Sequence, residues 1–293
     1  MKTYIIGSSG VIGYNLFQYL KKKNIDVIGT YFNSKKPNLI KFNILKNKIT
    51  KKFKIKDTDN VIILTACSSP TWVHKNPKVS NKINVIATKK IIDELKYINC
   101  KIFFMSSIEV FDGKKGNYHE YSKPNPLNLY GKQKLEIENY LKKNVENFCI
   151  IRTSFIVGDN AKQRCPVKLT YDSLLKKNAK MAKDNFFAIT SVHDLCKAIF
   201  IILKNKMLKK IKIFHISSKQ KISRIQLANS IISLSKRKFE MKYKETLFKY
   251  IKYSEPRGRV NNLISKNLIL NKFKFQVVRD IIKNKLKIIE NQK

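Results

Sequence analysis

The run LYGKQKLE at positions 129–136 sets Tyr130 and Lys134 four residues apart. On a helix that spacing puts both side chains on one face. A phenol beside an ammonium can handle a proton, because the neighbouring positive charge lowers the phenol's pKa. Spacing alone does not single this pair out. The chain has 13 tyrosines, and the same interval recurs at Tyr19/Lys23, Tyr31/Lys35 and Tyr97/Lys101. Position decides between them. A strand expected at Lys101–Met105 runs into Ser106 and Ser107, which brings a hydroxyl to a strand's carboxyl end, where open α/β sheets bind ligands. Tyr130 follows Ser107 in the next helical stretch, and the other three pairs have no such partner.

A second chemical signal stands at the N-terminus. Gly7, Gly10 and Gly13 follow an apolar run, TYII, and open a helical pattern. Three of the nine glycines thus fall within seven residues. Glycine permits a tight turn and lets backbone N–H groups approach a pyrophosphate, whose charge then rests at the positive end of the helix dipole. This is the context a dinucleotide fingerprint requires. An Asp or Glu about 20 residues further on is the usual clamp for the ribose of NAD. No carboxylate occurs from Val27 to Lys56, and the segment TYFNSKK offers Asn33, Ser34, Lys35 and Lys36. Those groups suit a 2′-phosphate and favour NADPH, with NADH as the alternative.

The elements around these residues alternate. Strands are expected at Thr3–Ile6, Asp26–Thr30, Val61–Thr65, Lys101–Met105 and Phe148–Arg152, and helices at Val11–Lys23, Val79–Leu95 and Leu129–Lys143. That is the α/β pattern of a Rossmann-like doubly wound parallel sheet. Residues 1–154 form the dinucleotide-binding domain, completed by about 188–216, where a helix at Val192–Leu203 precedes a strand at Lys212–Ile216. Residues 155–187 and 217–293 read as a smaller, discontinuous substrate-binding lobe, with helices at Arg224–Ser235, capped by Ser223, and at Val277–Ile289.

Taken together, GSSGVIG, SSIEVFDG (106–113), YHE (118–120), PNPLNLYGKQKLEIE (124–138), RTSFIVG (152–158), ITSVHDL (189–195) and, more loosely, RGRVNNLISKNL (257–268) resemble the extended short-chain dehydrogenase/reductases. The resemblance is closest to the dTDP-4-dehydrorhamnose reductase-like branch of the epimerase/dehydratase superfamily. It implies an NAD(P)H-dependent reductase of a nucleotide-activated 4-keto-6-deoxy sugar. In that scheme Tyr130 protonates a carbonyl oxygen as hydride arrives, Lys134 lowers the tyrosine pKa and holds the nicotinamide ribose, and Ser107 orients the same oxygen. The cofactor-binding set implied is Gly7, Ser9, Gly10, Val11, Ile12, Gly13, Ser34, Lys35, Asn43, Ile44, Thr65, Ala66, Tyr130 and Lys134. Ser107, Glu109, Phe155 and Arg257 are the substrate-side residues, with Arg257 a planar donor for the diphosphate.

Two departures from the family pattern keep other readings open. Ile108 and Glu109 follow the catalytic hydroxyl where the rhamnose-type reductases carry Asp-Tyr. Sugar dehydratases and decarboxylases place a proton-abstracting Glu here, so an NAD-dependent epimerase or dehydratase with Glu109 as base is one alternative. A non-catalytic NADP-binding regulatory subunit is another, although it has no need of Ser107, Tyr130 and Lys134 together. His119 and His193 are expected in structural hydrogen bonds.

Composition narrows the remaining classes. A hydrophobic fraction of 43% is that of a globular protein. The net charge of +41 would suggest nucleic acid, but only seven of the 61 basic residues are arginine and the lysines are scattered without a stripe, so no nucleic-acid role is assigned. Five cysteines and four histidines show no metal-ligand or disulfide spacing. The N-terminal apolar run is too short for a signal peptide, and no run is long enough to span a bilayer. A soluble, cytoplasmic protein without membrane contact, a homodimer by family resemblance, is the expectation.

Overall fold

The computed structural model describes residues 1–176, 178–205, 211–267, 270 and 272–291. Leu268, the last residue of the 257–268 motif, lies outside the described residues. The strands of the first half are β1 (Thr3–Ile6), β2 (Val27–Tyr31), β3 (Leu39–Lys41), β4 (Asn60–Ile63), β5 (Lys101–Met105) and β6 (Phe148–Thr153). Those that follow are β7 (Phe155–Val157), β8 (Lys180–Ala182), β9 (Phe186–Ser191), β10 (Ile213–Ile216), β11 (Lys221–Ser223), β12 (Lys244–Thr246) and β13 (Val260–Asn261).

Seven strands form one parallel sheet in the order β10-β6-β5-β4-β1-β2-β3. Every residue of β1, β4, β5 and β6 is buried, as a sheet covered on both faces demands. The chain reverses its direction of travel across the sheet between β1 and β4, the crevice where doubly wound folds bind ligands. On one face pack Ile91, Ile92, Leu95, Ile137 and Leu141 from two helical segments; on the other pack Leu16, Phe17 and Leu20 from the helix Val11–Lys22, with Val192, Leu195 and Ile199 from the helix Val192–Lys204.

A second sheet runs β11-β9-β13, with β7 also paired to β9, and a third pairs β8 with β12. These carry their own core, in which the helices Pro166–Leu174, Arg224–Leu234 and Val278–Glu290 contribute Leu174, Leu227, Ile231 and Ile282. Residues 188–191 belong to this small sheet through β9, and the chain rejoins the large sheet after them. Ser223 caps the helix Arg224–Leu234 in a reciprocal box with Gln226, as its position anticipates. Among the described residues no helix is long and apolar enough to cross a membrane.

One expected helix differs. Over Val79–Leu95 the chain forms an α-helix at Pro77–Asn81, widens into a π-turn at Lys82–Ala87 and resumes α-helix at Thr88–Leu95. Apolar periodicity does not register such a one-residue insertion, and π-turns often mark functional sites. Asn84, within it, is turned inward. Its Oδ1 accepts from Cys67 N at 2.8 Å, and its Nδ2 donates to Gln133 Oε1 at 2.8 Å.

Behind the sheet's carboxyl edge lies a buried polar chain. Glu138 accepts from Ser106 Oγ at 2.5 Å and pairs through both oxygens with Arg152, at 2.9 and 2.6 Å. Arg152 Nη1 lies 3.4 Å from His215 Nε2, and His215 Nδ1 lies 3.1 Å from the carbonyls of Tyr118 and Ile264. Burial first, and then the charge of Arg152, lower the His215 pKa to about 4, against the opposing pull of Glu120. The unfolded chain therefore binds a proton at this histidine before the native one does, and native stability falls as pH drops from 6.5 towards 4. Unfolding free energies from urea titrations across that window should fall with pH by on the order of 3 kcal/mol from this group. His215→Gln should flatten that dependence.

Candidate active site

The first turn after β1 is shaped by contacts that exclude side chains. Gly7 has φ +95°, and a Cβ there would stand 2.6 Å from Thr65 Oγ1; a Cβ on Gly13 would stand 2.4 Å from Gly7 O. The backbone thus closes on itself, with Gly7 N donating to Thr30 Oγ1 at 3.0 Å. No side chain caps the helix that starts at Val11, and its first turn holds no carboxylate. Its N–H groups are left facing a cleft with the positive end of the helix dipole behind them, a fit for the pyrophosphate of a dinucleotide. Thr153 Oγ1, on the same cleft, is a buried hydroxyl with no partner among the described residues, and a bound ligand would satisfy it.

The cleft measures about 620 Å³. Gly7, Gly10, Val11, Ile12, Gly13 and Ala66 line it, as do Ser107, Glu109, Tyr130, Lys134, Phe155 and Arg257. The other expected cofactor residues lie apart from its lining. Ser34 and Lys35 are exposed in the loop after β2, and Ile44 is buried in the core. Thr65 packs over Gly7, and Ser9 lies in the glycine turn itself. The amide of Asn43 accepts from Leu45 N at 2.9 Å in its own turn.

The helix Leu129–Asn144 brings Tyr130, Lys134 and Glu138 to one face at successive four-residue steps, and all three are buried against the edge of β5 and β6. Asn128 caps this helix by accepting from Gly131 N at 2.9 Å, and its Nδ2 donates to Glu109 Oε2 at 2.6 Å. Gly131 lets the helix lie directly on the Ser107–Glu109 turn, for a Cβ there would meet Glu109 O at 2.0 Å. Lys134 Nζ donates to Met105 O at 2.8 Å and lies 5.8 Å from the centre of the Tyr130 ring. Tyr130 and Ser107 line the same cleft, and Ser107 Oγ accepts from Glu109 N at 3.2 Å. The Ser106 hydroxyl is committed to Glu138, so Ser107 is the one that faces the cleft.

Burial dominates the electrostatics. It raises the Tyr130 pKa, the charge of Glu109 raises it further, and the Ser107 hydroxyl opposes both. Burial lowers Lys134 to about 8, against the pull of Glu138. Glu109 is pushed above the usual carboxylate range by burial, while Arg257 and Asn128 hold it down. Arg257 Nη1 is 3.8 Å from Glu109, and Arg257 Nε donates to Glu255 at 2.6 Å. A phenol, an ammonium and a hydroxyl gathered in this way can protonate and orient a carbonyl oxygen.

Phe155 stacks edge-on against Phe187 at 5.7 Å, at the lobe side of the cleft. His119 Nδ1 accepts from Tyr121 N at 3.3 Å, and His193 Nε2 lies 3.1 Å from Asp159. Sequence reading missed Asn128, whose place before a helical run marks it as a cap but whose second bond to Glu109 is tertiary. It also missed Arg224, a lysine-rich chain's ordinary-looking cation that lines the cleft.

Gly131→Ala should force the helix off the Ser107–Glu109 turn, at a cost of about 2 to 3 kcal/mol for an overpacked contact. Thermal unfolding should report the loss.

The model of the RmlD substrate binding domain matches residues 1–255. Among curated proteins, methionine adenosyltransferase 2 subunit beta of Xenopus tropicalis is 29% identical over 187 residues, which is 63% of this chain and 56% of that protein's own length. Among solved structures, a hypothetical dTDP-4-dehydrorhamnose reductase from Sulfolobus tokodaii is 28% identical with a TM-score of 0.76, covering 96% of this chain and 99% of that one. A dTDP-4-dehydrorhamnose reductase from Bacillus anthracis in complex with NADP shares the fold, at 18% identity and a TM-score of 0.79, over 100% of this chain and 99% of the other. With its glycine turn, its seven parallel strands and most of its length matched, the chain belongs to the RmlD substrate binding domain family, within the dTDP-4-dehydrorhamnose reductase-like short-chain dehydrogenases.

Proposed function

We propose that this protein is an NADPH-dependent reductase of a nucleotide-activated 4-keto-6-deoxy sugar, with residues 1–154 and the return at about 188–216 holding the cofactor and residues 155–187 and 217–293 forming the substrate lobe. The observation that carries the reading is the convergence of Tyr130, Lys134 and Ser107 in the cleft that also contains the glycine turn. NADPH, when bound, supplies the hydride. Gly7, Ser9, Gly10, Val11, Ile12 and Gly13 seat its phosphates, and Ser34 and Lys35 face the 2′-phosphate where no carboxylate would repel it. Asn43, Ile44, Thr65 and Ala66 complete the cofactor side.

Tyr130 then donates its phenolic proton to the sugar oxygen. Its raised pKa keeps that proton in place until negative charge develops on the acceptor. Ser107 donates a hydrogen bond to the same oxygen and fixes its direction. Lys134, held near the tyrosine ring by Met105 O, lends positive charge to the phenolate left behind. Phe155 and Arg257 stand on the substrate side, where Arg257 offers donors to the diphosphate.

Two other readings have an observation behind them. Glu109 is buried, lines the cleft and has a raised pKa, features that suit the base of an NAD-dependent epimerase or dehydratase. The curated relative is named as a subunit of another enzyme, which keeps the reading as a non-catalytic NADP-binding regulatory protein alongside the main one. A homodimer belongs to the main reading, supported by the exposed apolar side chains of Val79 and Ile86 on the helical segment 77–87. Purified protein given NADPH and dTDP-4-keto-6-deoxy sugars should consume NADPH absorbance, and Tyr130→Phe should lower the rate by about 100-fold or more. Turnover that depends on Glu109 and on tightly held NAD, without net consumption of NADPH, would favour the epimerase reading. Absence of turnover with every keto sugar nucleotide defeats the enzyme assignment.

A further inference from the structure

Arg224 is the first residue of the helix Arg224–Leu234 and lines the cleft on its lobe side. Its guanidinium lies 4.3 Å from the centre of the Phe187 ring, and Phe187 is buried. Its hydrogen bonds are long and go to neutral acceptors: Nη1 to Thr170 Oγ1 at 3.5 Å and Nη2 to Asn185 Oδ1 at 3.3 Å. Four other arginines behave differently. Among the described residues, Arg152 pairs with Glu138, Arg237 with Glu240, Arg257 with Glu255 and Glu109, and Arg259 with Asp184, whereas Arg224 makes no ion pair.

The contrast with Arg257 is direct, because both line the same cleft and repel one another. Tyr253 interacts with both, its ring 5.7 Å from the Arg257 guanidinium. Arg257 sits between two carboxylates, so its charge is already met. Among the described residues, Arg164 also lines the cleft without an ion pair but is exposed, so Arg224 is the unpaired arginine there that is withdrawn from solvent. Burial lowers its pKa and Arg257 adds to that, which means that the charged form is held at a cost that an arriving anion would remove. A guanidinium held against an aromatic ring keeps a planar fork of donors, the group that recognises phosphate through two hydrogen bonds.

We propose that Arg224 is the main anchor for the diphosphate of the nucleotide sugar, and that Arg257 adds hydrogen-bond donors there but little net charge because Glu255 and Glu109 neutralise it. The identity of the anion rests on the reductase reading; the existence of an uncompensated guanidinium in the cleft does not.

The test is calorimetric titration of dTDP, UDP and GDP, and of the matching nucleosides, into the full chain saturated with NADPH so that the cofactor's phosphate site is filled. Wild type should bind at least one diphosphate. Arg224→Met should bind it about 10- to 100-fold more weakly, the loss of one charge-assisted contact. Arg224→Lys should also be weaker than wild type, because it keeps the charge and loses the planar fork. Nucleoside binding and NADPH affinity should be the same in all three proteins. Wild-type diphosphate affinity in Arg224→Met overturns the inference and leaves the reductase reading standing. If Arg224→Met loses NADPH affinity as well, Arg224→Lys decides, and wild-type diphosphate affinity there overturns the inference. Failure of the wild type to bind any of the three diphosphates removes the nucleotide-sugar reading, and the inference falls with it.

Discussion

The buried pair of Glu138 and Arg152 fixes how the helix Leu129–Asn144 meets the sheet, and the arrangement of the cleft follows from it. Glu138 is wholly buried and Arg152 nearly so. Two charges in that position are tolerable only when each satisfies the other's hydrogen bonds, and removal of one partner leaves a bare buried charge, a loss of about 3 to 5 kcal/mol. Arg152 belongs to β6 and Glu138 to the helix, so their bidentate contact sets the rotation of the helix about its axis. Lys134 and Tyr130, on the same face one and two turns earlier, inherit that rotation.

Further contacts set the height of the helix above β5. Gly131 admits Glu109 O against the helix backbone, Asn128 ties the N-terminus to the Glu109 side chain, and Lys134 reaches Met105 O. Gln133 adds a lateral tie to Asn84 in the π-turn, which in turn holds Cys67 in the loop after β4. The edges of β4, β5 and β6 are thereby connected through side chains of a single helix. A site built in this way has its reactive groups held by rigid elements, and what remains free is the lobe side of the cleft, where Phe155, Arg224 and Arg257 come from the smaller sheet and its helices.

The distribution of charge in the cleft is uneven in an informative way. In a chain with 61 basic and 20 acidic residues, three of the acids, Glu109, Glu138 and Glu255, are buried at or beside the cleft. Each is engaged by an arginine. Acidic groups are thus concentrated where they order cations, and the lysine excess on the surface has no counterpart inside.

Much of this organisation is legible along the chain. Short apolar runs mark β1 and β5, and apolar residues at three- and four-residue intervals mark the helix Leu129–Asn144, to within a residue, because both signals are local. The glycine triplet and the Ser107, Tyr130 and Lys134 set are legible for the same reason: each depends on residue type at short spacing after a strand or on a helix. Three things required the tertiary structure. The π-turn at Lys82–Ala87 is one extra residue per turn and leaves the apolar pattern intact. Asn128 and Gly131 matter through contacts with Glu109, about 20 positions away. Arg224 looks like any other cation until its neighbours are known, since what sets it apart is partial burial in the cleft without an ion pair among the described residues, and burial and pairing are properties of the folded space around a residue rather than of its place in the sequence.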